Sequence, residues 1–227
     1  MKKIIDVVVD LETLSLRENA AIISIAAVPF IKRRLENGSP ASVPYLAKFP
    51  ELYAGISGDG FEPYYEVVNA TTCALIGMHF DEKTVDFWKN QPDPAKAELL
   101  TENSISIRCA IEGFIKHLTA LKDRFDADIR LWTQGSDFDI PILRCAIRMA
   151  LNEMETPWKH NDVRDARTWI LEHVEWFHGD LEKPYSIFPE HPELTKHSAL
   201  GDATRTALNI IDINDHLQTM IDKCQNT

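Results

Sequence analysis

The stretch Ile4-Ile5-Asp6-Val7-Val8-Val9-Asp10-Leu11-Glu12-Thr13 decides the fold. From Ile4 to Val9 it is apolar, rich in β-branched residues and broken only by Asp6. A run of that length and composition predicts a strand buried on both faces. It ends in two acidic residues separated by one. Alternate residues of a strand share a face, so Asp10 and Glu12 project to the same side, about 6.8 Å apart along the chain. Two carboxylates there repel each other unless a cation lies between them. A solvated strand end is the ordinary alternative, and this pair alone leaves the two readings balanced.

Working outward, Ala20 to Phe30 reads as a second buried strand, stopped by Pro29. Residues 33–60 carry charge, Gly, Pro and Ser and read as an irregular excursion. A strand pattern resumes from Phe61 to Asn69. Glu82 to Asn90 is a short helix ended by Pro92, and Ser106 to Lys122 a longer amphipathic one. Ile129 to Thr133 is a strand, followed by a Gln134-Gly135-Ser136 turn and a helix from about Phe138 to Leu151. A short strand near Val163 precedes a helix from about Arg167 to His173. Residues 178–197 contain three prolines and read as a loop, and the last helix runs from about Ala199 into the 210s. Short early connections imply antiparallel hairpins, and helix-separated later strands imply parallel pairing. The expected architecture is α/β, a mixed central sheet with helices on both faces. With no repeat or linker, residues 1–227 are expected to form a single domain.

Apolar residues make up 44% of the 227, enough for a sizeable core. No apolar run approaches the length of about 18 residues that a membrane span needs. The basic start Met1-Lys2-Lys3 before an apolar stretch resembles a leader, but Asp6, Asp10 and Glu12 interrupt it. Cys73, Cys109, Cys145 and Cys224 lie far apart and form no CxxC, so free thiols in a cytoplasmic setting are expected rather than zinc or disulfides. The formal charge is −11. That argues against a long grip on duplex nucleic acid, which rests on basic patches. It does not argue against an enzyme holding a few terminal nucleotides around two bound divalent cations, which would add about four positive charges where the scissile phosphate sits.

Two further motifs carry candidate chemistry. Gly135-Ser136-Asp137-Phe138-Asp139-Ile140-Pro141 follows a buried strand and opens a helix. One of Asp137 and Asp139 is expected to cap that helix, where the dipole favours an acidic residue, and the other is free to bind a cation. In His197-Ser198-Ala199-Leu200-Gly201-Asp202, residues five apart on a continuous helix would diverge by about 140°. His197 is therefore placed just before the helix, with Ser198 near the N-cap and Asp202 in the first turn. Four carboxylates and a histidine, each at the edge of an element, match what two-metal phosphodiester cleavage requires. Mg²⁺ prefers carboxylate oxygens, and an imidazole suits proton removal from water near neutral pH.

In order, the strings Asp10-Leu11-Glu12-Thr13, Ser136-Asp137-Phe138-Asp139 and His197-Ser198-Ala199-Leu200-Gly201-Asp202-Ala203 resemble the motifs of the DEDDh (DnaQ-like) 3′→5′ exonucleases. Asp86-Phe87-Trp88-Lys89-Asn90-Gln91 and Arg164-Asp165-Ala166-Arg167-Thr168 add a similarity to the phage DexA-type enzymes and their bacterial relatives. The resemblance spans nearly the whole chain, least well at residues 33–60. It implies an RNase H-like fold and two Mg²⁺ (or Mn²⁺) ions held by Asp10, Glu12, Asp139 and Asp202. It makes His197 the general base and leaves Asp137 as the cap. It further implies that Thr13 and Leu14 contact the 3′-terminal nucleotide, partly through backbone N–H groups. Trp88 is read as core packing at about two to one, with base stacking the alternative. Arg164 and Arg167 face phosphate or pair with Asp165 and Asp162. Trp132, Trp158, Trp169 and Trp176 are assigned to packing. The expected partners are single-stranded DNA or RNA 3′ ends, with no membrane and with a homodimer left open. The rival readings are an RNase H-like endonuclease and a catalytically inactive nucleic-acid-binding module.

Overall fold

A computed structural model of the chain describes residues 3–30, 32–34, 40–42, 62–99 and 102–225. The decisive stretch forms β1 (Lys3–Thr13), the middle of a five-stranded sheet. Its neighbours are β2 (Ile22–Phe30), antiparallel, and β6 (Ala127–Thr133), parallel. β5 (Tyr64–Val67) lies antiparallel outside β2, and β7 (Val163–Asp165) parallel outside β6. The order is β5-β2-β1-β6-β7. The expected split holds: the early strands β1, β2 and β5 pair antiparallel, and the later strands, each preceded by a helix, pair parallel. Two short strands, β3 (Lys32–Arg34) and β4 (Pro40–Ser42), pair antiparallel apart from this sheet. The rest of the expected excursion at 33–60, and Phe61, lie outside the described residues.

Among the described residues there are also seven α-helices, α1 (Ala70–Leu75), α2 (Glu82–Lys89), α3 (Asp93–Leu99), α4 (Ile107–Phe125), α5 (Asp139–Leu151), α6 (Ala166–His178) and α7 (Ala199–Gln225), and two short 3-10 turns, His160–Asp162 and Pro184–Ile187. α4 packs with α5, and α6 with α7, each pair against the sheet. Covered on both sides, β1 buries Ile5, Val7, Val8 and Val9. α4 meets the sheet through Ile107, Ile111, Phe114 and Leu118, spaced three or four apart as one helical face requires. Each such side chain, fully buried, stabilises the fold by about 1.5–3 kcal/mol.

Asp6 is the acidic residue in the run that the core must accommodate. It is buried and accepts from Arg130 Nε at 2.5 Å, Arg130 Nη2 at 2.9 Å and Trp132 Nε1 at 2.6 Å. Both partners come from β6, in parallel register with β1. A buried carboxylate is tolerable only when paired and hydrogen-bonded in this way.

The structure corrects several sequence expectations. Pro29 does not stop β2; it lies inside the strand, paired with Val7. Proline lacks only an N–H, and β5 pairs with β2 no further than Ala27, so no partner strand is deprived there. α1 and α3, which are short, were not anticipated. α6 extends on to His178 and α7 to Gln225. Trp176 is not packed but 80% exposed, whereas Trp158 is buried against Phe114.

Candidate active site

β1 reaches past the end of β6, so Asp10 and Glu12 stand beyond the parallel pairing, on the same face. Asp139 enters from the first turn of α5, and Asp202 from the first turn of α7. Asp10, Glu12, Asp139, His197 and Asp202 line a single cleft of about 370 Å³ together with Gln134, Phe138, Arg167, Tyr185, Arg205, Thr206 and Asn209. A second cleft of about 670 Å³ opens on the other side of Glu12 and His197. It is lined by Thr13, Leu16, Arg17, Lys83, Phe87, Trp88 and Phe138, among others. Both volumes fall in the range of about 300–1,000 Å³ usual for small-molecule sites.

Of the two acidic candidates after β6, Asp139 is buried in the cleft and accepts from the Leu11 N–H at 3.3 Å. Asp137 is exposed. Nor does Asp137 cap α5, as the sequence suggested: Phe138 holds the N-cap position, without a side-chain hydrogen bond. Phe138 itself packs against the core.

Burial pushes the Asp10 carboxyl well above the ordinary range, and the nearby charges of Asp139, Glu12 and Asp202 push it further; Arg205 opposes them. Burial likewise raises Asp139 to about 7, against the N–H of Leu11 and the charge of Arg167. Among the described residues no three His, Cys, Asp or Glu side chains stand close enough to hold an ion as they are. The Asp202 carboxylate is turned to protein partners, Oδ1 to Arg205 and Oδ2 to the His197 N–H at 3.1 Å. The donor chemistry nevertheless suits divalent cations, since the charges of Asp139, Glu12 and Asp202 all bear on the Asp10 carboxyl and positive charge among them would relieve that repulsion.

That electrostatic strain has a measurable consequence. A carboxyl whose folded value is raised is protonated in both states at low pH, where it costs nothing. Between about pH 4 and pH 7 the unfolded chain ionises and the folded chain does not, so stability is lost as pH rises through that window. In chelator, Asp139→Asn is expected to match the wild type near pH 4 and to melt about 4 °C or more above it at pH 8. Equal melting temperatures at both pH values would show that Asp139 is not electrostatically strained.

His197 precedes α7 as expected, at φ +59°, a left-handed conformation that only a few per cent of non-glycine residues adopt. Ser198 caps the helix, accepting from the Gly201 N–H at 3.4 Å. Gly201 is needed where it stands. A Cβ there would run into the carbonyl oxygen of Thr195, so the loop bearing His197 lies directly against the first turn of α7. The exposed imidazole meets Phe87 edge to face, ring centres 5.4 Å apart.

The wall formed by residues 13–17 is held by α2 and the turn before it. The Trp88 indole N–H donates to the Thr13 carbonyl at 2.9 Å, and the Asp81 N–H donates to the Leu14 carbonyl at 2.8 Å. Trp88 is 8% exposed, so its indole serves that wall, whereas Phe87 is 43% exposed in the same cleft. The Leu14 N–H is already donated to the Ala21 carbonyl at 2.8 Å. Leu16, 77% exposed, stands in the same cleft as Phe87. Sequence reasoning passed over both, although Phe87 lies within the Asp86–Gln91 stretch it singled out. Arg164 donates to the Asn161 and Val163 carbonyls, and Asp165 caps α6 by accepting from Thr168 N–H. Arg167 lines the smaller cleft and donates to the Gln134 carbonyl at 3.0 Å.

The sheet order 3-2-1-4-5, counted over its five strands with the second antiparallel, is the one expected of an RNase H-like fold, and one cleft brings together the four carboxylates and the histidine that the sequence singles out. A family model, the 3′-5′ exoribonuclease Rv2179c-like domain, matches residues 5–212. The chain therefore belongs to the Rv2179c-like exonuclease family; nothing in the comparisons singles out the phage DexA type. Among solved structures, the chain is similar to the nuclease domain of 3′hExo, a DEDDh family member, bound to rAMP. That match has 11% identity and a TM-score of 0.48, covering 95% of this chain and 92% of the other. A search of curated protein sequences found no match. No described helix is long and apolar enough to cross a membrane.

Proposed function

We propose that the chain, as one exonuclease domain, removes nucleoside monophosphates from the 3′ ends of single-stranded RNA, tolerates single-stranded DNA, and depends on two divalent cations, Mg²⁺ or Mn²⁺. One observation carries this reading: four carboxylates and His197 meet at the junction of an apolar, aromatic cleft and a polar one. The terminal nucleoside fits the larger cleft, between Leu16 and Phe87. The scissile phosphate then lies at the carboxylates, and the preceding nucleotides cross the polar cleft near Arg167 and Tyr185.

Asp10, Glu12, Asp139 and Asp202 would hold the cations, which when bound activate a water and stabilise the leaving oxygen. His197, exposed beside the carboxylates, takes the proton from the attacking water. Thr13 lines the terminal-nucleotide cleft, and Trp88 fixes its carbonyl. RNA is favoured by the exoribonuclease family to which the chain belongs, and tolerance of DNA by the resemblance of its motifs to phage-type enzymes; the −11 charge suits short contacts with a strand end over a long grip on duplex. The free cysteines fit a cytoplasmic, reducing setting.

The test uses one oligonucleotide sequence in both chemistries, 5′-labelled, with and without a 3′-terminal phosphate block. Stepwise loss from the free 3′ end in Mg²⁺ or Mn²⁺, abolished by chelation, is expected. Internal cuts in the blocked strand would favour the endonuclease reading. A preference for either sugar above about 100-fold, roughly 2.7 kcal/mol of transition-state discrimination, would end the claim of tolerance.

A further inference from the structure

Arg205 follows Asp202 by three residues on α7, with its guanidinium on the Asp202 carboxylate. An exposed pair at this helical spacing ordinarily contributes only a few tenths of a kcal/mol and needs no functional reading. This pair differs in three respects. Its carboxylate faces the cleft with the other acidic residues. Its guanidinium has a second anchor, Nη2 donating to the Leu194 carbonyl at 3.0 Å, in the loop that leads to His197. The other oxygen of the same carboxylate is occupied too, by the His197 N–H. Asp202 is thus engaged on both oxygens by protein groups, one of them a cation at the place where a divalent ion would bind.

We propose that Arg205 is a built-in counter-ion of the carboxylate cluster, displaced from Asp202 by a divalent cation and then turned to the phosphate of the bound nucleotide. The inference rests on Asp202 being a cation ligand. A guanidinium and a divalent ion at one carboxylate oxygen repel each other, so occupancy by one excludes the other. The Leu194 carbonyl keeps the displaced side chain at the cleft instead of releasing it to solvent. There its planar fork suits a phosphate, which it grips in two-point fashion better than lysine does. Before loading, the same side chain ties α7 to the loop of His197, so the general base is held near its place in the ion-free state.

The test is Mn²⁺ titration by calorimetry without nucleic acid, on wild type, Arg205→Gln, Arg205→Lys and Asp202→Asn, followed by titration of adenosine 5′-monophosphate into the Mn²⁺-loaded proteins. Arg205→Gln is expected to bind Mn²⁺ about five- to tenfold more tightly, as a competing charge is removed. It should bind the nucleotide about tenfold more weakly. Arg205→Lys keeps the charge without the two-point reach and should lie between the two in both titrations; it carries the test if the Gln variant does not fold. Unchanged or weaker Mn²⁺ binding in the Arg205 variants, with Asp202→Asn weakened, would overturn the counter-ion role alone. Unchanged nucleotide binding would overturn the phosphate contact. Unchanged Mn²⁺ binding in Asp202→Asn would remove the ligand assignment itself.

Discussion

Asp10→Ala is expected to give a folded protein whose exonuclease rate has fallen by at least about three orders of magnitude. Asp10 is the hub of the cluster: Asp139, Glu12 and Asp202 all press on its charge. A side chain so placed destabilises the ion-free fold, so its removal relieves repulsion while leaving the sheet intact. Asp6, four residues earlier on the same face of β1, makes the contrast. It is tied to Arg130 and Trp132, and Asp6→Ala leaves Arg130 unpaired, at a cost of about 3 kcal/mol. Circular dichroism melts and single-turnover assays on both variants separate the cases. Asp10→Ala protein that is folded and within tenfold of wild-type rate would exclude Asp10 as a cation ligand. Asp6→Ala protein as stable as wild type would undo the structural reading of that pair.

These two residues also show what the sequence could and could not tell. Both are acidic interruptions of one apolar strand, and period two puts them on the same face. Their roles diverge because β6 runs alongside Asp6 and stops short of Asp10. Strand length and register fix that difference, and neither can be read from β1 alone. The hydrophobic runs were legible because β1 and β2 are buried on both faces. α1 and α3 were not, since helices of six or seven residues hold too few turns for a period to emerge.

The candidate site was legible at the carboxylates, where acidic residues next to buried runs conflict with local preference. The substrate walls were not. Leu16 and Phe87 are apolar residues in ordinary company, and only the fold of the β1–β2 loop against α2 makes them exposed neighbours of one cleft. Trp88 drew attention as the larger ring, but its indole N–H is spent on the Thr13 carbonyl, which leaves Phe87 as the more open face. The reading of Asp137 as a cap failed for a related reason. Phe138 packs on the core and takes the cap position itself, and nothing in a Ser-Asp-Phe-Asp string sets which residue starts the helix.

His197→Ala is expected to keep the divalent cations and lose rate by about 10²–10⁴-fold, the range of a general base. The imidazole lies at the mouth of both clefts, exposed, with the carboxylates on one side and Phe87 on the other. It is not a buried structural histidine, so its removal should not disturb the core. Its backbone is a separate matter. At φ +59° alanine is less comfortable than asparagine, which tolerates the left-handed region better than most residues. His197→Asn therefore preserves the loop and removes only the base. If the imidazole takes the proton, both variants lose rate alike and both lose the acidic limb of the pH–rate profile measured at saturating Mn²⁺. If the residue matters for the turn alone, His197→Asn keeps near-normal rate and profile while His197→Ala does not. Mn²⁺ binding should survive in both, since His197 reaches Asp202 only through its N–H, which either variant retains. A wild-type pH profile in the asparagine variant would assign proton removal to another group.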